Sequence, residues 1–363
     1  MSMAASAMKV GSTTGTTTGA NVGTTAGTTA GAVGLGDVVD FLRRPAAYPG
    51  CPPVELRETH LSWVFLTPTE AYKLKKPVVN EFVDLRSLAG RLANCRAEVQ
   101  LNRRLAGDVY RGLAQVTQSA NGELAIDGDG RVIDWLVRMR RLPAEHMLDW
   151  LLEHERLQPE DVAAVARRLG DFFAAQPAIA LAAGRHRMLL RQQLDLSRAM
   201  LARPEFGLPL QQIGAVHSAM ERYLDDGADL AARVRMGRIV EGHGDLRPEH
   251  ICLGAPPVII DCLEFSRDLR LLDPFDEFAF LGLECARLGA PWVAPLLLQA
   301  LAARLDDHPP MRLWHFYTAL RACVRARLAV AHLLEPAPSR PQLWTPRALD
   351  YLARAGVACA ALA

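Results

Sequence analysis

The stretch "EGHGDLRPEHICLGAPPVIIDCLEF", residues 241–265, constrains the chain more than any other. Two aspartates, Asp245 and Asp261, flank a short apolar run, and His-Gly precedes the first. An apolar run of this length, bounded by glycine, proline and acidic residues, reads as a buried strand with loops at its ends. The pattern brings two carboxylates to one end of a small hairpin. Phosphoryl transfer uses such a pair: one carboxylate orients an attacking hydroxyl and accepts its proton, and the other holds a Mg²⁺ that bridges nucleotide phosphates. On this reading Asp245 is the catalytic residue and Asp261 the metal ligand. His250, five residues beyond Asp245, stands where a second metal contact is wanted.

The rest of the chain must supply a scaffold and a nucleotide site. Its 363 residues, half of them hydrophobic, suffice for two lobes. Residues 1–35 are Gly-, Thr- and Ala-rich and carry too little apolar area to offset their ordering entropy, so they are expected to be disordered. A short helix is expected from Asp37 to before Pro45. Strands are expected around 60–66, 71–75, 112–118, 122–126 and 131–140, with a helix between the second and third. After Pro143 the periodicity turns helical, over 144–154, 159–175, 185–202, 209–225, 275–288, 291–305, 310–334 and 345–361. The two aspartate loops interrupt it. The expected plan is α+β and bilobal: a small β-rich N-lobe, 36–142, and a larger, mainly helical C-lobe, 143–363.

Charge and cysteine usage narrow the partners. The formal net charge is +1, so no strong field points to nucleic acid or a membrane surface. The longest uncharged stretch near the C-terminus is short and broken by prolines, which argues against a membrane span. Seven cysteines are scattered without a CxxC pair, which favours a reducing cytoplasm. No leader with an apolar h-region is apparent. Nothing in the sequence indicates an oligomeric state.

The spacing of Asp245, His250 and Asp261 is that of a kinase catalytic Asp, an Asn five residues later and a metal-binding Asp after a hairpin. "HGDLRPEHICL…PPVIIDCLEF" resembles the corresponding motif of aminoglycoside phosphotransferases and other kinase-like small-molecule phosphotransferases. "VELRETHLSWVFLTPTEAYKLKKPV", "AEVQLNRRLAGDVYRG", "LDPFDEFAFL" and "FYTALRACVRARLAVAHL" resemble one bacterial branch of that family. The likeness spans roughly residues 37–335. It implies a protein-kinase-like fold and ATP- and Mg²⁺-dependent phosphorylation of a small-molecule hydroxyl, without naming the acceptor. Two departures stand out. Family members usually carry Asn at His250, and Arg247 replaces the usual His. A Gly-rich phosphate loop is also missing, and "HLSWVFLTPTE" offers Ser62 and backbone in its place.

A kinase-like lobe needs a lysine on the nucleotide phosphates, paired with a helix glutamate. Lys73 and Lys75 alternate onto one strand face. The resemblance favours Lys73, with Lys75 as the fallback and Glu98 as the partner. "VRMRRLP" would be the crossing between lobes, with backbone around Met139 facing the adenine. Glu277 falls where relatives often place Asp and would brace the catalytic loop, alongside His243.

Tyr317, Arg321 and Arg325 recur at i, i+4 and i+8, on one helix face. They suggest either an anionic substrate or buried pairing with carboxylates. Two rival functions remain open at this point. One is a nucleotide-binding pseudokinase with a regulatory role, motivated by His250 and the missing loop. The other is a metal-dependent phosphohydrolase built on His243, Asp245, His250 and Asp261.

Overall fold

The computed structural model describes residues 33–79, 82–335, 338 and 340–362. Residues 1–32 of the tail expected to be disordered lie outside this range. The described chain divides into two compact units. One comprises residues 33–99 and Asp108–Arg141; the other comprises Gln100–Gly107 and residues 142–362.

The first unit is built on a six-stranded antiparallel sheet in the order β1-β2-β3-β6-β4-β5. The strands are β1 Glu55–Glu58, β2 Ser62–Leu66, β3 Glu70–Lys75, β4 Tyr110–Gln118, β5 Leu124–Ile126 and β6 Arg131–Arg140. Helix α1, Leu35–Leu42, starts two residues earlier than expected, and Val38 and Leu42 seal one sheet face over Phe65, Leu74, Val116 and Leu136. Strand β1 is an addition to the five expected. Its sequence, Glu-Leu-Arg-Glu, is mostly exposed, as suits an edge strand protected by charge. The turn between β1 and β2 is closed by Thr59, whose N–H donates to the Ser62 carbonyl at 2.8 Å. Helix α2, Leu88–Ala106, follows β3; its residues up to Val99 belong to this unit and those from Gln100 to the other.

The second unit is helical: α3 Leu148–Glu153, α4 Pro159–Ala174, α5 Ala183–Leu201, α6 Leu210–Asp226, α7 Ala228–Arg235, α8 Pro274–Arg287, α9 Val293–Leu305, α10 Met311–Ala331 and α11 Trp344–Ala360. Helix α4 shows why these segments fold as they do. Pro159 opens the first turn, where its missing N–H is no loss. Val162, Val165, Ala166, Leu169, Phe172 and Phe173 then recur on one face and are all buried. Helix α10 is buried nearly all round, so it forms the centre of this unit.

Two helical expectations need correction. Residues 144–154 are not one helix. Met147 is extended, with ψ 139°, and bridges Cys252, so only α3 is α-helical. Helix α7 was not expected, and it begins directly after Gly227, which takes φ +57° and turns the chain out of α6.

Four two-residue strands frame the aspartate loops: β7 Val240–Glu241, β8 Ile251–Cys252, β9 Val258–Ile259 and β10 Leu271–Leu272. Strand β8 pairs with β9, and β7 with β10. No described helix is long and apolar enough to cross a membrane.

Candidate functional site

The loop carrying Asp245 leaves β7 as Gly-His-Gly-Asp and is fixed from behind. Glu277, on the first turn of α8, accepts hydrogen bonds from the N–H of His243 at 2.9 Å and from that of Gly244. Asp273 caps this helix, accepting from the Phe275 N–H at 3.0 Å. Gly244 takes φ +90°, and a Cβ there would lie 2.9 Å from Leu263 Cδ1 and 3.1 Å from the Leu269 carbonyl. Only glycine meets both demands. Gly242 is needed for space, since its Cβ would meet Glu277 Oε2 at 2.8 Å. Burial pushes the Glu277 carboxyl up to about 7.

His243 ties the two aspartate loops together. Its Nε2–H donates to the Ile260 carbonyl at 2.8 Å, and its Nδ1 accepts the Asp245 N–H at 3.3 Å. Its own carbonyl accepts from the Leu263 N–H at 3.1 Å. Burial lowers its pKa to about 4, so the ring is neutral. Both ring nitrogens are engaged, which removes His243 from any metal shell.

The end of α2 adds contacts that sequence reasoning missed. Asn102 accepts the Cys262 N–H at 2.9 Å. Arg104 donates to the carbonyls of Glu241 at 3.0 Å and Gly242 at 2.8 Å. These contacts clamp the residues just before His243 and just after Asp261. The run "NRRLA" gave no signal of them beyond its charge.

Asp261 takes φ +62°, a left-handed conformation that Asp tolerates better than most residues. Asp245 is nearly buried, whereas the Asp261 side chain keeps 20% of its surface exposed. His250 lies between the two: its Nδ1 is 3.8 Å from Asp245 Oδ2 and its Nε2 is 3.5 Å from Asp261 Oδ2.

A second unexpected group completes this cluster. Arg247 is buried. Its Nε–H donates to Asp245 Oδ2 at 3.1 Å, its Nη1 donates to Glu249 Oε1 at 2.5 Å, and its Nη2 donates to His250 Nε2 at 3.1 Å. His250 Nδ1–H in turn donates to the Asp245 carbonyl at 2.8 Å. Burial opposes ionisation of Asp245, but Arg247 and the neighbouring positive charges outweigh it and hold the carboxyl below its usual range. Burial and Arg247 together push the His250 pKa down. The departure at Arg247 carried this signal in the sequence, but its link to His250 was not legible there.

In the sheet unit, Lys73 Nζ and Glu98 Oε1 are 2.9 Å apart, and Lys75 Nζ pairs with the other oxygen of Glu98. Glu98 therefore serves both candidate lysines. The Lys75 side chain is 1% exposed and that of Lys73 is 12% exposed. Ser62 is buried, in register with Lys75, and its Oγ has no hydrogen-bond partner among the described residues. Met139 is in register with Ala71 and Tyr110, and the Arg141 N–H donates to the Thr69 carbonyl at 2.9 Å. The backbone expected to face adenine is thus partly committed to the sheet.

Tyr317, Arg321 and Arg325 share a buried face of α10, and each meets a carboxylate. Tyr317 donates to Asp273 at 3.2 Å, Arg325 donates to Glu284 at 2.9 Å, and Arg321 forms two 2.7 Å bonds to Asp276. Arg321 also donates to the Gly244 carbonyl at 3.2 Å. Of the two expectations for this face, the structure displays the ion pairs. The argument for an anionic substrate loses its carriers. The tetrad of a metal hydrolase is not gathered either: among the described residues, Asp195, His217 and Glu221 form the one group with metal-ligating spacing. There both His217 nitrogens face carboxylates, at 3.2 and 3.0 Å.

No protein-family model matches the chain. Uncharacterized proteins from Mycobacterium tuberculosis and Mycobacterium bovis are each 31% identical over 316 residues, which cover 79% of this chain and 57% of the relative. The chain thus spans little more than half the length of the curated relatives it matches. Among solved structures, a choline kinase from Cryptosporidium parvum superposes with a TM-score of 0.50 at 10% identity, covering 88% of this chain and 95% of that one. A choline/ethanolamine kinase family protein from Mesorhizobium loti gives 0.48 at 14% identity, covering 89% and 98%. The sheet-based unit, the helical unit and the likeness to choline kinase agree on the fold, which is protein-kinase-like.

Proposed function

We propose that the chain transfers the γ-phosphoryl group of ATP to a hydroxyl of a small molecule, with Mg²⁺. The convergence of Asp245 and Asp261 on His250, on loops braced by Glu277, His243 and Asn102, is the observation that carries this reading. Asp245 orients the acceptor hydroxyl and takes its proton. An oxygen ligand suits a hard cation, so Asp261 fits as the holder of Mg²⁺. When bound, the cation offsets charge on the phosphates. Lys73, paired with Glu98, binds those phosphates; Ser62 and the backbone near Met139 line the nucleotide side. The free cysteines support a reducing, cytoplasmic setting.

The test is thermal shift with ATP and a non-hydrolysable analogue, with and without Mg²⁺, followed by a transfer assay on hydroxyl compounds. Amino alcohols such as choline belong in the panel, given the choline kinase likeness in fold. A Mg²⁺-dependent shift that disappears in Asp261→Ala is expected. No shift, or an unchanged one in the variant, sinks the assignment.

A second reading keeps nucleotide binding without turnover, as a regulatory module. The hold of Arg247 on Asp245 favours it. Analogue binding with no transfer to any acceptor would select it.

A further inference from the structure

We infer that this site takes one divalent cation, on Asp261, and that the Arg247 guanidinium occupies the position a second cation would take beside His250. The inference rests on the nucleotide-binding reading above and concerns its metal stoichiometry. In kinase sites a catalytic-loop Asn holds a second cation. His250 stands at that position here, and two features disqualify it.

The first is the lone pair. A neutral imidazole has one acceptor nitrogen. His250 Nδ1–H donates to the Asp245 carbonyl at 2.8 Å, which leaves the lone pair on Nε2. Arg247 Nη2 donates to that nitrogen at 3.1 Å. A hydrogen bond and a metal bond cannot share one lone pair. Imidazole is also a poorer ligand than oxygen for a hard cation.

The second is the anchoring of the guanidinium. Arg247 is 1% exposed and is held on three sides, by Asp245, Glu249 and His250. It neutralises the carboxylate of Asp245, which a second cation would otherwise approach. A dication on His250 would have to displace a buried, forked guanidinium from two carboxylates or sit against it. The Asp261 carboxylate is partly exposed and lies on the Nε2 side of His250, at 3.5 Å. Arg247 and His250, the two departures in this loop, therefore act as one unit: the histidine accepts and orients the arginine, and the arginine supplies fixed positive charge.

The test counts bound Mn²⁺ by electron paramagnetic resonance of the free ion, using the full chain with a non-hydrolysable ATP analogue. One Mn²⁺ per chain at saturation is expected, lost in Asp261→Ala. Arg247→Met should admit a second Mn²⁺, because the His250 lone pair and two carboxylates are released. If that variant does not fold, Arg247→His with His250→Asn restores the usual pair and should also bind two. Two Mn²⁺ in the unaltered chain would overturn the inference while leaving the nucleotide site standing. One Mn²⁺ in both the unaltered chain and the folded variants would overturn the role given to Arg247. No Mn²⁺ uptake with the analogue would remove the nucleotide-site reading itself, and this inference with it.

Discussion

Arg247 and Asp245, two residues apart, form a buried ion pair with Nε 3.1 Å from Oδ2. The carboxylate proposed to face the acceptor hydroxyl is thereby kept ionised in a largely buried setting. A low pKa makes it a weak base, which suits a reaction in which little negative charge builds on the nucleophile. Its work is orientation first and proton acceptance late.

Replacing Asp245 with Asn keeps the side-chain shape and removes the charge. Transfer to the acceptor should fall by about 10²–10⁴-fold, the usual range for a positioned general base. The Mg²⁺-dependent thermal shift with ATP should persist, because Asp261 is untouched. Steady-state ADP release and thermal shift on the same preparation separate the two effects.

Lys73 and Lys75 should part company on substitution, although both meet Glu98. Lys75 is fully enclosed, so Lys75→Met leaves a buried glutamate short of a partner. Breaking such a pair is expected to lower stability by roughly 3–5 kcal/mol. Lys73 keeps some exposure, and Lys73→Met should chiefly weaken nucleotide binding. Urea melts and nucleotide titrations distinguish them. Equal loss of stability in both would remove the preference for Lys73.

Much of this was legible in the sequence because it is local. Asp245, Asp261 and Glu277 announce themselves through short motifs beside apolar runs, and the sheet strands through alternation. What was not legible depends on long-range closure. Asn102 reaches Cys262 across 160 positions, and nothing in "LNRRLA" marks it. Arg247 reads as a substitution, and only the folded loop shows it bonded to His250. The i, i+4, i+8 spacing of Tyr317, Arg321 and Arg325 fixes a shared face, but their carboxylate partners come from α8 and the residue that caps it. Edge strand β1 escaped notice because charge, the device that protects an edge, also hides its periodicity.

Glu277 should give the protein a pH-dependent stability. Burial raises its carboxyl from 4.5 to about 7 in the folded chain. The folded state thus retains a proton that the unfolded state has released between those values. The stabilisation is complete below pH 4.5 and disappears as pH rises through about 7. Relative to Glu277→Gln, which cannot titrate, the unaltered chain should lose on the order of 3 kcal/mol across that window. Urea melts of both proteins at several pH values measure the difference. Parallel profiles would mean that the two backbone N–H groups keep the carboxylate ionised throughout.

The Arg321–Asp276 pair decides whether α10 serves structure or substrate. Arg321 makes two bonds to Asp276 and one to the Gly244 carbonyl, next to Asp245. Removing one partner strands the other charge in a buried setting, so Arg321→Met alone should cost roughly 3–5 kcal/mol of stability. Replacing both partners with apolar groups of similar volume, Arg321→Met with Asp276→Leu, removes the stranded charge. The double variant should recover most of the loss, as buried pairs replaced whole commonly do. Double-mutant urea melts give the coupling directly. If the arginine is structural, the double variant should also keep the acceptor KM within a few-fold and lose mainly kcat, through the slackened Gly244 turn. A KM that rises steeply at unchanged kcat in the stable double variant would instead assign Arg321 to the substrate, and would return an anionic acceptor to the front of the search.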